Sequence, residues 1–340
     1  MEYQILGIDI AKHKFDCAFI ARPGSNGDKG NKAKSKVLPN NDAGFTQLIT
    51  WLAKNHGAAH KNIKVFMEAT GVYHEALAEF LYTQGFVVHV FNPADAASYI
   101  GSDNLHKTDK SDARALADMG IDRLNKGTAG KTLWQPAPPE VKHLKALIAR
   151  LDALEADLQR EENRMEKART AASPALVVES IVTMQLQLHK QIDGLKNEIN
   201  HHINRHPDLK DGIRLLKSIP GVGEVVSLRM LTLYHSRHFK SASQMAAFVG
   251  LVPRKRESGM YKGQSKLSKR GSSMIRAKLY LAAVCATQYN PDIRAHCERL
   301  RARGKNKMQT VGAAMRRLVQ ICYGVLKRRC EYQAQVTLAV

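Results

Sequence analysis

Short apolar runs and stretches of helical spacing alternate through the first 135 residues. Gln4–Ile8 is an apolar run that stops at Asp9, and Phe15–Ile20 is a second strand after a polar turn. Lys36–Leu38 reads as a third short strand. Phe45–Leu52 has helical spacing, and Ile63–Met67 is a run of the buried-strand kind that stops at Glu68. A helix is expected over 73–84, a strand over Phe86–Val90, a break at Asn92-Pro93, and another helix starting near Lys110. Residues 21–36, rich in Gly, Ser, Asn and Lys, form a polar turn or loop. Three early strands followed by strands alternating with helices predict a mixed α/β sheet of the ribonuclease H-like kind over 1–135. A doubly wound nucleotide fold would want a glycine-rich first turn, and the sequence after Asp9 is IAKHK instead.

The period changes after the proline-rich stretch 136–139. Leu144, Leu147, Leu151, Leu154, Leu158 and Met165 mark one helical stripe. Ile181, Leu188 and Leu195 repeat every seven, with Met184 or Gln185, Ile192 and Ile199 between them. Ala171–Ser173 and Pro174 separate the two. The pattern predicts an antiparallel helical hairpin of coiled-coil type over 140–208, suited to oligomerisation or to spacing domains. Two core helices of one larger domain are the alternative. His201-His202 reads as part of its solvated polar face. Residues 210–335 read as mostly helical. Within them LLKSIPGVGEVVSLRML resembles a helix–hairpin–helix element, whose Gly221 and Gly223 would bring backbone N–H groups to a phosphate at a helix N-terminus. Glycines that merely cap helices are the alternative.

Charge changes this picture. The chain of 340 residues carries 52 Lys and Arg against 31 Asp and Glu, a net charge of +21. After residue 210 stand 25 of those cations and only 6 of the acids, so +19 of the excess lies in the last 130 residues. A polyanion explains such a concentration, because each neutralised phosphate releases counterions. The densest part is a polar, glycine-rich segment read as a loop. It holds Arg254, Lys255 and Arg256, then Lys262, Lys266, Lys269 and Arg270. No apolar run is long enough to span a membrane, and no signal peptide is recognisable at MEYQILGIDI. Five cysteines without a CxxC pair argue against a zinc site or disulfide framework and fit a reducing cytoplasm.

Candidate chemistry is acidic first. Asp9 and Glu68 each terminate a strand, and neighbouring strand ends converge on one edge of a sheet. Asp109 and Asp112, three apart at the start of a helix, share a face. Four carboxylates in one place repel each other unless a hard divalent cation sits among them, and two such ions suit phosphodiester chemistry. Taken singly, each has an ordinary reading as a cap, a turn residue or a surface acid. Ser258 lies beside the basic residues, where its hydroxyl could be activated toward phosphorus. From the residues alone, Ser265, Ser268, Ser272 and Ser273 compete with it as phosphate contacts. No P-loop, HExxH pair or hydrolase triad is present, and Trp51 and Trp134 read as packing residues.

Taken in order, GIDIAKHKFD, MEATGVYHE, FNPADA, KTDKSDARALA, SIPGVGE, FVGLVPRKRESG and GQSKLSKRGSSMIR are specific. Over nearly its whole length the sequence resembles the DEDD-type insertion-sequence transposases of the one-ten family and its eleven-eleven branch, relatives of the Piv DNA invertases. The resemblance implies a RuvC-like N-terminal domain in which Asp9, Glu68, Asp109 and Asp112 bind Mg2+. It implies that Ser258 attacks the scissile phosphate and forms a covalent phosphoserine link to DNA. It also implies a non-coding bridge RNA that pairs with donor and target DNA, and a tetramer built as a dimer of dimers. Each active site would then join the RuvC-like domain of one protomer to the Ser258 domain of another. A cytoplasmic, nucleoid-associated bacterial enzyme is expected. A metal-dependent nuclease of the Holliday-junction resolvase type, a site-specific invertase and a non-catalytic nucleic-acid scaffold are the competing readings.

Overall fold

The computed structural model describes residues 4–21, 33–56, 62–100, 109–237, 239–254, 257–258, 261–262 and 266–335. The chain forms two compact units, Met1–Pro136 and Ala137–Val340. In the first, β1 (Gln4–Ile10), β2 (Lys14–Ile20), β3 (Lys34–Pro39), β4 (Ile63–Glu68) and β5 (Val87–Phe91) build one sheet in the order β3-β2-β1-β4-β5. β1, β4 and β5 are parallel, and β2 runs antiparallel to both its neighbours. This is the mixed sheet that the alternation of short runs predicts. β1 and β4 lie in its middle, which is why their sequences are almost continuously apolar.

Helices cover both faces. Leu6, Ile8, Phe15, Phe19 and Val65 pack against Phe45, Leu48 and Leu52 of α1 (Asp42–His56) and Leu77 and Leu81 of α2 (Glu75–Thr83). On the other face Ile5, Ile20, Phe66 and Phe91 meet Ala96 of α3 (Pro93–Ile100) and Leu116, Ala117 and Met119 of α4 (Asp109–Asn125). Gly7 lets α4 approach the sheet. A Cβ there would lie 2.1 Å from the Ala113 carbonyl oxygen and 2.7 Å from the Ala117 nitrogen. The expected break at Asn92-Pro93 is a helix start instead. Asn92 Oδ1 accepts the Ala94 N–H at 2.9 Å, and proline suits a first turn because its missing N–H would have no partner there.

The second unit is mostly helical. α5 (Pro139–Thr170) and α6 (Ala175–Arg205) form a helical hairpin around a turn in which Ala172 has φ 48°. Val141, Leu144, Ile148, Leu151 and Leu154 share one apolar cluster with Leu188, Ile192, Ile199 and Ile203. That cluster continues without interruption into α7 (Pro207–Lys217), α8 (Glu224–Ser236) and α9 (Ala242–Phe248). The basic segment follows as β6 (Pro253–Arg254), β7 (Glu257–Ser258), β8 (Tyr261–Lys262) and β9 (Lys266–Leu267). After it come α10 (Ser273–Tyr289), α11 (Pro291–Ala302) and α12 (Lys307–Arg328). α12 packs against α7 to α11 and buries Val311, Met315, Leu318, Val319 and Cys322. Its start is fixed by a capping box, Asn306 Oδ1 accepting the Gln309 N–H at 2.9 Å and Gln309 Oε1 accepting the Asn306 N–H at 3.2 Å.

His202 corrects the reading of His201-His202 as a solvated face. His201 is exposed, but His202 is buried and stacks on His143 at 4.6 Å, with His206 at 4.4 Å on its other side. It faces the start of α5, where its Nε2 lies 2.8 Å from the Glu140 carbonyl oxygen. Trp51 packs edge-on to Phe19 and Trp134 edge-on to Tyr82, so both serve packing. All five cysteines are free thiols. Among the described residues, no helix is long and apolar enough to cross a membrane.

Candidate active site

The register of the central strands brings the first acids together. Gly7 pairs with Phe66 and Ile8 with Met67, so the next step along both strands sets Asp9 beside Glu68. Alternate residues of a strand share a face, so Asp9 lies on the face of Gly7 and Glu68 on that of Phe66. Both are the face covered by α4. Asp112 immediately precedes Ala113, whose carbonyl abuts Gly7, and is only 8% exposed. Asp9 and Glu68 thus stand at the C-terminal ends of adjacent parallel strands, where α/β sheets place their ligands, and Asp112 belongs to the helix that covers this face. Asp109 is the first residue of α4; its side chain lies outside the described residues.

A further carboxylate, this one buried, was not singled out by the sequence. Asp16 pairs directly with Asp9 across β1 and β2, on the same face, and is 6% exposed. Its partner is Lys14, at 3.4 Å. The signal was present: an acid interrupts the apolar run Phe15–Ile20 at a position that alternation sends to the α4 face. Like charges directly opposite one another destabilise a sheet. Among the described residues, no three His, Cys, Asp or Glu side chains close on a single metal-binding point. The donor chemistry nevertheless fits a hard divalent cation: every candidate donor is a carboxylate oxygen, carried on a packed strand or helix.

Next to this face, His89 of β5 stacks on Phe66 at 4.6 Å, and its Nδ1 lies 3.2 Å from the Thr132 hydroxyl. Burial above all, with help from Lys64, pushes its pKa down to about 4, against a hydrogen bond to the Ala129 backbone. A neutral imidazole is the result at neutral pH, and its role is packing.

The basic segment, read as a loop from its composition, holds paired backbone at its described residues. Pro253 pairs with Leu267 and Arg254 with Lys266 in one ladder, and Glu257 pairs with Lys262 and Ser258 with Tyr261 in another. The second ladder lies within the first in sequence, and Ser258 belongs to it. Composition hid this pairing because each ladder is only two residues long. Lys255 and Arg256 lie outside the described residues, as do the side chains of Ser258 and Lys262. Arg254, Lys266, Lys269 and Arg270 are exposed along the base. That base is held firmly. Ser268 and Lys269 donate backbone N–H bonds to Val252 and Gly250, and Arg276 donates to the Gly271 carbonyl at 2.6 Å. Of the competing serines, Ser272 is engaged as the N-cap of α10, accepting the Ile275 N–H.

Gly221 and Gly223 stand between α7 and α8. Gly221 has φ +94°, and a Cβ on it would lie 2.7 Å from the Ala286 Cβ of α10, so packing alone requires a glycine there. Gly223 has no atom within 4 Å of its missing Cβ and forms the N-cap of α8.

Comparison with known proteins matches this architecture to DNA rearrangement. A DEDD-type transposase profile of the IS110 kind matches residues 6–174, and one described as transposase IS116/IS110/IS902 family matches 213–298. The pilin gene-inverting protein of Moraxella bovis is 29% identical over 342 residues, spanning 99% of each chain. The transposase for insertion sequence element IS1111A of Coxiella burnetii is 25% identical over 82% of this chain and 76% of its own. Among solved structures, the Thermus thermophilus RuvC structure overlays with a TM-score of 0.28 at 13% identity, over 37% of this chain and 98% of that one. The class is thus a DNA transposase, an enzyme that cuts and rejoins DNA. The chain belongs to the IS110 family of transposases.

Proposed function

We propose that this transposase breaks and reseals DNA through a covalent link between Ser258 and the scissile phosphate, assisted by Mg2+ held by Asp9, Glu68, Asp109 and Asp112. The observation that carries the metal half is the register that sets Asp9 beside Glu68 on the face covered by Asp112 and α4. When bound there, a divalent ion offsets charge on a phosphate oxygen and favours the deprotonated form of a nearby hydroxyl. The carboxylates hold and orient it. Ser258 Oγ gives up its proton and bonds to phosphorus, the P–O3′ bond breaks, and the 3′ oxygen leaves with a proton. Attack by a 3′-hydroxyl on the phosphoserine reverses the step and frees Ser258. One diester bond is exchanged for another, so rejoining needs no nucleotide energy.

Arg254, Lys255, Arg256, Lys262, Lys266, Lys269 and Arg270 hold the phosphate backbone on either side of Ser258, and Gly221 and Gly223 offer N–H groups at the start of α8. The excess of +19 after residue 210 exceeds what one DNA strand at one serine requires, and it supports a second polyanion, a bridge RNA paired to donor and target. The assembly is a tetramer, a dimer of dimers. Along α6, Leu176, Val177, Val182, Met184 and Leu186 are exposed apolar side chains, which supports the helical hairpin as a contact between copies. Each active site pairs the acids of one protomer with Ser258 of another. Site-specific inversion is a second reading of the same chemistry. It is favoured by the end-to-end likeness to a gene-inverting protein.

The metal half is tested with Asp9→Asn and Asp112→Asn. Both are expected to bind junction DNA like the unaltered protein and to leave it uncut. Full cleavage by either variant contradicts the assignment.

A further inference from the structure

Asn40, at the turn after β3, reaches both loops that leave the acidic strand ends. Its Nδ2 donates to the Ala11 carbonyl at 3.0 Å and to the Tyr73 carbonyl at 3.1 Å. Ala11 follows Asp9 by two residues, and Tyr73 follows Glu68 by five. The segment after Glu68 is a chain of tight turns: Thr70 N–H to Glu68 O at 3.0 Å, then Tyr73 N–H to Thr70 O at 3.1 Å. A hold on Tyr73 is therefore passed back to Glu68. On the other side the Ala11 N–H is tied to Lys14 O at 2.9 Å, so the turn after Asp9 is short and stiff.

Asn40 is itself firmly mounted. Its backbone N–H donates to His13 O at 2.9 Å, and the next residue, Asn41, accepts the Gly44 N–H on its side chain at 3.0 Å. Gly44 has no room for a side chain, since a Cβ would lie 1.8 Å from the Pro39 carbonyl oxygen. One primary amide on a rigid turn thus spends both its protons on two loops that are far apart in sequence. An aspartate or leucine of similar size could not do so.

We propose that Asn40 is a positioning residue that fixes the separation of Asp9 and Glu68 against their mutual repulsion, so that the pair is pre-set for a divalent cation. The inference rests on the metal-dependent reading above. A residue acting through the ligands in this way changes metal affinity and cleavage together, while contributing nothing to DNA affinity.

The test uses the full chain with Asn40→Ala, and Asn40→Ser as a milder change whose short hydroxyl cannot span both carbonyls. Mn2+ binding is measured by titration calorimetry, and cleavage of junction DNA is measured against Mg2+ concentration. Asp9→Asn runs beside them. Expected are folded variants with unaltered DNA affinity, Mn2+ binding about tenfold weaker, and a Mg2+ requirement raised by a similar factor. Mn2+ binding and a Mg2+ profile that match the unaltered protein in both variants overturn the inference about Asn40 alone. An unaltered protein that binds no Mn2+, or an Asp9→Asn protein that binds it undiminished, overturns the metal-dependent reading, and the role of Asn40 falls with it.

Discussion

Gly7 carries more of the site than its size suggests. With no side chain, it lets the backbone of α4, the helix that carries Asp112, rest on β1, the strand that carries Asp9. Gly7→Ala forces backbone apart from backbone, a clash that no rotamer change relieves. The expected cost is about 1–3 kcal/mol of stability, read by urea denaturation, together with a fall in cleavage as α4 lifts away from β1. An unchanged midpoint would show that α4 does not sit where it is described. At this scale the sequence was informative where polarity broke a pattern. Asp9 and Glu68 stood out because each ended an apolar run. Asp16 lay inside such a run and was passed over, although its strand position sends it to the same face. Asn40 was not legible at all. Its role depends on two carbonyl oxygens, and the positions of carbonyl oxygens leave no trace in residue types.

Elements obey the same logic at longer range. The heptad spacing of α5 and α6 made the hairpin readable, and Pro174 marked its turn. What spacing could not show is how the hairpin is fastened. Arg229 of α8 is ion-paired with Asp152 of α5, both almost fully buried, and Arg229 also donates to the Val225 carbonyl at 2.9 Å. Removing one partner leaves the other charge buried. Arg229→Met is expected to cost about 3–5 kcal/mol, and adding Asp152→Leu to recover most of it. A double variant as unstable as the single would mean that packing around Arg229, not charge, decides the cost. In the first unit, His89 ties β5 to the chain at Thr132. Its folded pKa of about 4 lies below the ordinary 6.5, so the folded form binds fewer protons than the unfolded one. Stability from this group is full above pH 6.5 and is lost as pH falls from 6.5 toward 4, by on the order of 3 kcal/mol. A His89→Phe variant should show a shallower loss across that window in denaturation curves. An equal slope would assign the pH dependence to other groups. The short ladders around Ser258 were hidden for a different reason. Two-residue strands are too short for any alternation to register.

For the whole molecule, charge is the clearest guide. A sheet unit with near-balanced charge carries the acids, and a helical unit carries nearly all the excess cations. If the paired basic segment around Ser258 holds phosphates, Lys266→Ala should weaken DNA binding uniformly across sequences. It should also lower the slope of log affinity against log salt by about one. An unaltered slope would remove Lys266 from the phosphate contacts. The division between acids and cations follows from the sequence, as does the mixed sheet. The proposed joint action of Ser258 and the carboxylates lies beyond pattern and composition, and it rests on chemistry that can be trapped. The most direct test mixes the full protein, with any RNA that co-purifies, with Mg2+ and labelled DNA spanning the rearrangement junction. A Ser258→Ala protein runs beside it on a denaturing gel. The account predicts a labelled protein–DNA adduct that is absent from the Ser258→Ala lane. Cut DNA ends without an adduct, equal in both lanes, would contradict it and mean that the carboxylates cut without the serine.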